Sequence, residues 1–189
     1  MNSRPGRIRI IGGSLRNSRL EVPELPGLRP TPERVRETLF NWLAPMIEGA
    51  RVLDLCAGTG ALGIEALSRG AASACFVEPD ARAARALRDN LARLKAADGE
   101  VAAVDAQAFL RGAARAFDLV FLDPPFALDL WSALAERLDQ GGWLAERAWI
   151  YVESPREQVP VLPLCWSLHR EGQAGEVRFA LYRRALPLS

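Results

Sequence analysis

Residues 51–63 read RVLDLCAGTGALG: an apolar run that ends near an acid, then a glycine-rich bend, then the opening of a helix. The order strand, bend, helix is the first unit of a βαβ fold. Gly58 and Gly60 let the backbone turn tightly and let a ligand approach main-chain atoms that a Cβ would block. Gly58, Gly60 and Gly63 also fit the GxGxxG pattern, which by itself is shared with dinucleotide-binding enzymes. Asp54, just ahead of the bend, separates the two readings. A carboxylate there accepts hydrogen bonds from a cationic ligand and repels a pyrophosphate.

Downstream of this stretch, β-like runs alternate with helical ones. Strands are predicted at 51–56, 74–78, 100–105, 117–123, 149–154, 165–171 and 176–184, with helices over 61–69, 80–97, 106–114 and 128–139. In the second helix Ala83, Leu87, Leu91 and Leu94 form an apolar stripe. The last two strands are separated only by GQAG, too short for a crossover helix, so they should pair as an antiparallel hairpin. Parallel strands ending in one antiparallel hairpin describe the methyltransferase variant of the doubly wound α/β fold: a Rossmann-like, seven-stranded, mostly parallel sheet. Glu78-Pro79, at the end of the second of these strands, supplies the carboxylate expected to hold ribose hydroxyls. Asp105-Ala106 ends the third, where an adenine edge would lie, although an Asp there serves equally as a helix N-cap. Asp54, the loop Ala57-Gly58-Thr59-Gly60, Glu78-Pro79 and Asp105-Ala106 together suit S-adenosylmethionine, which carries both an α-ammonium and a ribose.

Asp123-Pro124-Pro125-Phe126 ends the fourth strand. Two prolines remove two backbone donors and stiffen the turn, which leaves carbonyls free to accept. An exocyclic amine on a nucleobase is a poor nucleophile because its lone pair is delocalised into the ring. Accepting its hydrogens on the Asp123 carboxylate and the Pro124 carbonyl favours a pyramidal nitrogen aimed at a sulfonium methyl, while Phe126 stacks on the base. Alone, this tetrapeptide is equally a proline turn closing a buried strand.

With 189 residues and 49% hydrophobic composition, the chain has material for one substantial core. The expected division is a basic N-terminal β-hairpin extension over 1–30 and a methyltransferase domain over 31–189. No long apolar stretch follows the first residues, so neither a secretory signal nor a spanning helix is expected, and the cytoplasm is the expected location. Cys56, Cys75 and Cys165 are too few and too scattered for a disulfide framework or a zinc site, and no metal is expected. The net charge of +1 conceals a segregation. Arg4, Arg7, Arg9, Arg16 and Arg19 lie in the first twenty residues without an acid, which leaves the remainder at −4. Such a segment is either a phosphate-contacting surface or a solvated arginine-rich terminus. Within it, residues 7–22 predict two short strands around a Gly12-Gly13 turn. Thr31 and Pro32 then suit the N-cap and first turn of a helix over about 32–44.

RIIGGSLRNSRLEVP (9–23), GLRPTPERVRETLFNWLAP (27–45) and IYVES (150–154) closely resemble the RsmD family, bacterial enzymes that methylate the 2-amino group of one guanine in small-subunit (16S) ribosomal RNA. The resemblance runs from Arg7 to about Arg183. It implies S-adenosylmethionine as methyl donor and S-adenosylhomocysteine as product, with Asp54, Gly58, Gly60 and Glu78 in the donor site. It places Asp123, Pro124, Pro125 and Phe126 at the target base. The hairpin arginines Arg7, Arg9, Arg16 and Arg19 become an RNA-docking element in a small ribosomal subunit or its assembly intermediate, and Arg29, Thr31, Arg34 and Arg36 belong to a segment that folds over cofactor and substrate. Related (D/N)PP(Y/F) enzymes act on DNA adenine or a protein glutamine, and a non-catalytic RNA-binding assembly factor is the competitor from another class. His169 and the tryptophans 42, 131, 143, 149 and 166 are read as structural.

Overall fold

The structure, a computed structural model, describes residues 6–185, so Arg4 lies outside the described residues. The N-terminal strands β1 (Gly6–Arg9) and β2 (Arg19–Val22) pair antiparallel as a small two-stranded sheet. Helix α1 (Glu33–Leu43) leads into the main sheet, whose parallel strands are β3 (Arg51–Asp54), β4 (Ser73–Val77), β5 (Gly99–Ala102), β6 (Phe117–Leu122) and β7 (Leu144–Pro155). Helices α2 (Ala61–Ser68), α3 (Ala81–Arg93), α4 (Ala106–Phe109) and α5 (Trp131–Gln140) make the crossovers. Strands β8 (Trp166–Ala174) and β9 (Val177–Arg184) form the expected antiparallel hairpin. The order β5-β4-β3-β6-β7-β9-β8 places β9 between β7 and β8, antiparallel to both.

Both faces of the sheet are covered, which is why β4 and β6 read as nearly continuous apolar runs. On one face Leu39, Phe40, Ile64 and Phe76 pack together with Ile8, Ile10 and Leu20 of the N-terminal hairpin. On the other, Leu53, Val120 and Ile150 meet Trp131, Leu134 and Leu138 of α5. Trp131, Trp143 and Trp166 are buried, while Trp42 stacks on Phe179 and Trp149 meets the edge of His169, so all five tryptophans pack as read.

Several boundaries differ from the sequence-based expectation, each for a local reason. Gly12-Gly13 is not the hairpin turn; residues 10–18 form a longer loop, tied by Ile10 N–H to Ser18 O and Asn17 N–H to Ile10 O. Gly13, at φ +80°, is required because a Cβ there would lie 1.9 Å from the Ser68 carbonyl of α2. Thr31 is not the N-cap of α1; Pro32 occupies that position without a side-chain cap. Helix α3 stops at Arg93 because Lys95 turns to φ +56°. Residues 126–128 form a 3-10 turn that Asp129, at φ +45°, separates from α5. Strand β7 begins at Leu144, ahead of the predicted 149, across an irregularity opposite Phe117–Leu119.

Candidate active site

The parallel strands β3 and β4 run to one side and β6 and β7 to the other, so the sheet's switch point falls between β3 and β6. Loops leaving the carboxyl ends of strands at such a point form the crevice in which open α/β sheets bind ligands. Asp54, the last residue of β3, is 2% exposed, and its Oδ2 accepts from Gly63 N–H at 3.1 Å in the first turn of α2. Burial pushes its carboxyl up to about 8, against the pull of that amide and with the charge of Glu78 adding to the rise. Glu78 follows β4 and is also buried. Its Oε2 accepts from Gly58 N–H at 2.7 Å and its Oε1 from Asp80 N–H at 3.1 Å, yet burial still raises it above the ordinary carboxylate range.

The glycine bend is held from within. Ala57 N–H donates to Val77 O at 2.9 Å, Gly60 N–H to Ala57 O at 2.8 Å, and Thr59 Oγ1 accepts from Ala61 N–H at 3.2 Å. Gly58 and Gly60 take φ +55° and +78°, as the sequence requires of a tight bend. A Cβ on Gly58 would stand 3.3 Å from Leu28 Cδ1, so the segment before α1 lies over the bend. Pro79 is exposed at the rim. Asp105 caps α4, its Oδ1 accepting from Ala108 N–H at 2.8 Å, with Ala106 buried beneath it. The cap alternative for Asp105 is therefore realised with one oxygen.

At the end of β6, Asp123 is half-buried, Pro124 buried and Pro125 exposed. The hydrogen bonds of the following turn use the Pro125 and Phe126 carbonyls, so the Pro124 carbonyl stands outside them. Phe126 is 38% exposed and its ring leans on Trp131 with centroids 5.6 Å apart. Burial lifts the Asp123 carboxyl well above the usual range, and the charge of Glu153, a hydrogen bond with it and the charge of Asp54 lift it further. Burial also raises the Cys56 thiol, with Asp123, Asp54 and Glu78 acting in the same direction, so this cysteine is no thiolate nucleophile.

Glu153 on β7 is the site residue that motif reasoning did not single out. It is buried, its Oε1 accepts from Tyr151 Oη at 2.6 Å and from Thr31 Oγ1 at 3.3 Å, and its backbone carbonyl accepts from Trp131 Nε1 at 2.7 Å. Only its place inside IYVES could have pointed to it.

The arginines divide. Arg7, Arg16, Arg19, Arg29 and Arg34 are exposed. Arg9 is partly engaged, bonded to Glu33 and to Asn17 Oδ1. Arg36 corrects the expectation of an RNA contact: it is buried, with Nε donating to Thr31 O at 3.2 Å and an η-nitrogen to Arg9 O at 2.9 Å. A guanidinium spent on main-chain carbonyls inside the protein cannot reach a phosphate.

Asp54, Glu78, Asp123 and Glu153 thus gather at the carboxyl ends of the neighbouring strands β3, β4, β6 and β7, and among the described residues none of them is in an ion pair. Buried carboxyls without a cation are costly unless protonated or matched by a ligand. A ligand with positive charge and hydroxyl groups answers that need, and S-adenosylmethionine fits the donor set; Asp54 and Glu78 would hold it at the Gly58 bend.

Strand order, acidic rim and proline turn define a methyltransferase fold. The family model described as conserved hypothetical protein 95 matches residues 8–183, and the chain belongs to that family, the RsmD family. It is 51% identical over 184 residues to ribosomal RNA small subunit methyltransferase D of Escherichia coli (strain K12), covering 97% of this chain and 93% of the relative. The protein of the same name from Haemophilus influenzae is 41% identical over 182 residues, 94% of each chain. Among solved structures, the E. coli methyltransferase yhhF superposes with a TM-score of 0.90 at 48% identity, over 96% of this chain and 99% of that one. Among the described residues no helix is long and apolar enough to cross a membrane, and no cluster of metal-ligating side chains is present.

Proposed function

We propose that this protein is an rRNA methyltransferase that transfers a methyl group from S-adenosylmethionine to the exocyclic 2-amino group of a guanine in small-subunit (16S) ribosomal RNA. The observation that carries the reading is the convergence of four carboxyls, three buried and that of Asp123 half-buried, which among the described residues have no cation partner, beside a Pro-Pro turn whose Pro124 carbonyl stands outside the turn's hydrogen bonds and whose Phe126 ring is exposed. The names of the relatives support rRNA as the substrate, and the resemblance in sequence supports the guanine amine. Bound S-adenosylmethionine supplies a methyl already activated on a sulfonium.

The chain's residues have to position the amine and manage charge. Asp54 and Glu78 would hold the ammonium and the ribose. The Asp123 carboxyl and the Pro124 carbonyl accept the two amine hydrogens, which frees the nitrogen lone pair, and Phe126 stacks on the base with about 1–3 kcal/mol. S-adenosylmethionine would supply the methyl with its S–C bond breaking as the N–C bond forms, and Asp123 or water would take the surplus proton from the amine. Exposed Arg7, Arg16, Arg19, Arg29 and Arg34 contact phosphates of the particle.

The test uses methyl-labelled S-adenosylmethionine with small subunits from a strain lacking the modification, followed by mass-spectrometric mapping. Label on the 2-amino group of one guanine is expected, and Asp123→Asn should lower kcat by about 10²–10³ while the donor still binds. Label on protein or DNA, or none at all, would overturn the reading.

A further inference from the structure

Positive charge is concentrated in two segments of the chain, and the fold brings them together. The first twenty residues carry five arginines and no acid. Residues 81–95, ARAARALRDNLARLK, carry Arg82, Arg85, Arg88, Arg93 and Lys95 against the single acid Asp89, a net +4, so the chain outside these two segments stands at −8. Helix α3 and strand β2 lie side by side. Asn90, 2% exposed, takes the part of a neighbouring strand: its Oδ1 accepts from Glu21 N–H at 3.1 Å and its Nδ2 donates to Glu21 O at 2.9 Å. Three residues on, Arg93 donates to Arg19 O at 2.6 Å. The basic hairpin and the basic helix therefore form one surface.

The needs of the fold do not account for all of these cations. The five are exposed, and among the described residues none is in an ion pair, not even with Asp89. Arg93 and Lys95 suit the C-terminal end of a helix, where the macrodipole favours positive charge, and Arg88 donates to Val101 O at 3.1 Å. Arg82 and Arg85 have no such reason. They lie in the opening turns of α3, where the dipole opposes a cation, no acid accompanies them in the first turn, and neither side chain makes a hydrogen bond among the described residues. A cation kept where it costs the helix stability is explained by a partner outside the fold. The other exposed residues of α3 are Ala81, Asp89 and Ala92, with no aromatic ring among them, so the surface suits phosphate oxygens and offers nothing for a base to stack on.

We propose that α3 is the second half of an RNA-docking surface that begins at the hairpin, with Arg82 and Arg85 contacting the phosphate backbone beside the stretch held by Arg7, Arg16 and Arg19. On the reading of rRNA as substrate given above, this sets where the phosphates run. Helix α3 has thirteen residues, about 20 Å of axis, and starts just after Glu78, so the track leads from the rim of the donor crevice along the helix. Contacts of this kind add affinity without choosing a sequence.

The test uses the full-length protein, unmodified small subunits and two variants of opposite sign. Arg82→Gln/Arg85→Gln removes the two cations and keeps good helix formers in their place; Asp89→Asn removes the one acid of the same helix. Binding is followed through a salt series, and kcat and KM for label transfer are measured alongside. The double variant should flatten the log–log salt dependence by about 0.7–0.9 per lost contact and raise KM on the order of tenfold, with kcat and S-adenosylmethionine affinity held. Asp89→Asn should tighten binding roughly twofold, a gain that damage to the fold does not produce. An unchanged salt slope in the double variant, or weaker binding by Asp89→Asn, would overturn the role of α3. Should the double variant fail to fold, Asp89→Asn decides alone, and binding no tighter than that of the unaltered protein counts against it. Binding with the expected slopes but no methyl transfer sinks the enzymatic reading and leaves α3 an RNA surface, whereas transfer with an unmoved slope sinks only α3.

Discussion

Two buried acids at opposite ends of one helix are treated in opposite ways. Glu65, near the C-terminal end of α2, is 0% exposed and fully partnered. It accepts from Ile11 and Gly12 N–H and from Arg69 Nε, each at 2.9 Å, and an η-nitrogen of Arg36 stands 3.7 Å away. Asp54, under the N-terminal end of the same helix, receives one amide at 3.1 Å and, among the described residues, no cation, and faces a second acid. The protein completes the first charge and, in the proposed function, leaves the second for a ligand. Glu65 therefore works for the fold, docking the N-terminal segment on α2, while in the proposed function Asp54 is the acid left to meet a cationic ligand.

The largest effect should come from breaking the finished end. Glu65→Ala strands Arg36 in the core without its acid and releases the amides of Ile11 and Gly12. A loss of about 3–5 kcal/mol is expected, read as a lowered midpoint in urea or thermal unfolding. An unchanged midpoint would show that the two ends do not differ as described.

A smaller effect tests the unfinished end. Free Asp54 holds its proton up to about pH 8, and a cationic ligand prefers the carboxylate. Affinity for S-adenosylmethionine should thus climb by up to about tenfold per pH unit between pH 6 and 8 and level off above that, in calorimetric titrations; Asp54→Asn should flatten the climb. The sign for folding is the reverse. Because the unfolded chain ionises this group near its ordinary value, the ligand-free protein loses stability as pH rises from about 4 to about 8, and the ligand restores it.

The smallest expected change concerns what Glu65 holds in place. Replacing exposed Arg7, Arg16 and Arg19 by Ala should weaken RNA binding and flatten its salt dependence by about 0.7–0.9 in log–log slope per lost phosphate contact. Arg36, buried against main-chain carbonyls, should leave that slope alone if an isosteric change there is tolerated.

What the linear sequence determined is whatever depends on neighbours. The bend at Gly58 and Gly60, the Asp54 and Glu78 that flank it, the proline turn after Asp123 and the final hairpin are all set within a few residues, by backbone freedom, proline chemistry and loop length, and each lies where the residues place it. Tertiary structure decided the rest. An arginine in a basic stretch looks solvated until packing puts Arg36 beside Glu65, and Gly13 looks like a hairpin turn until Ser68 is found against it. The meeting of Thr31 with Glu153, the insertion of β9 between β7 and β8, and the early start of β7 likewise join residues far apart along the chain. Contacts of that kind are fixed by how layers of apolar surface are buried together, and no local pattern encodes which distant polar group the closing core will bring alongside.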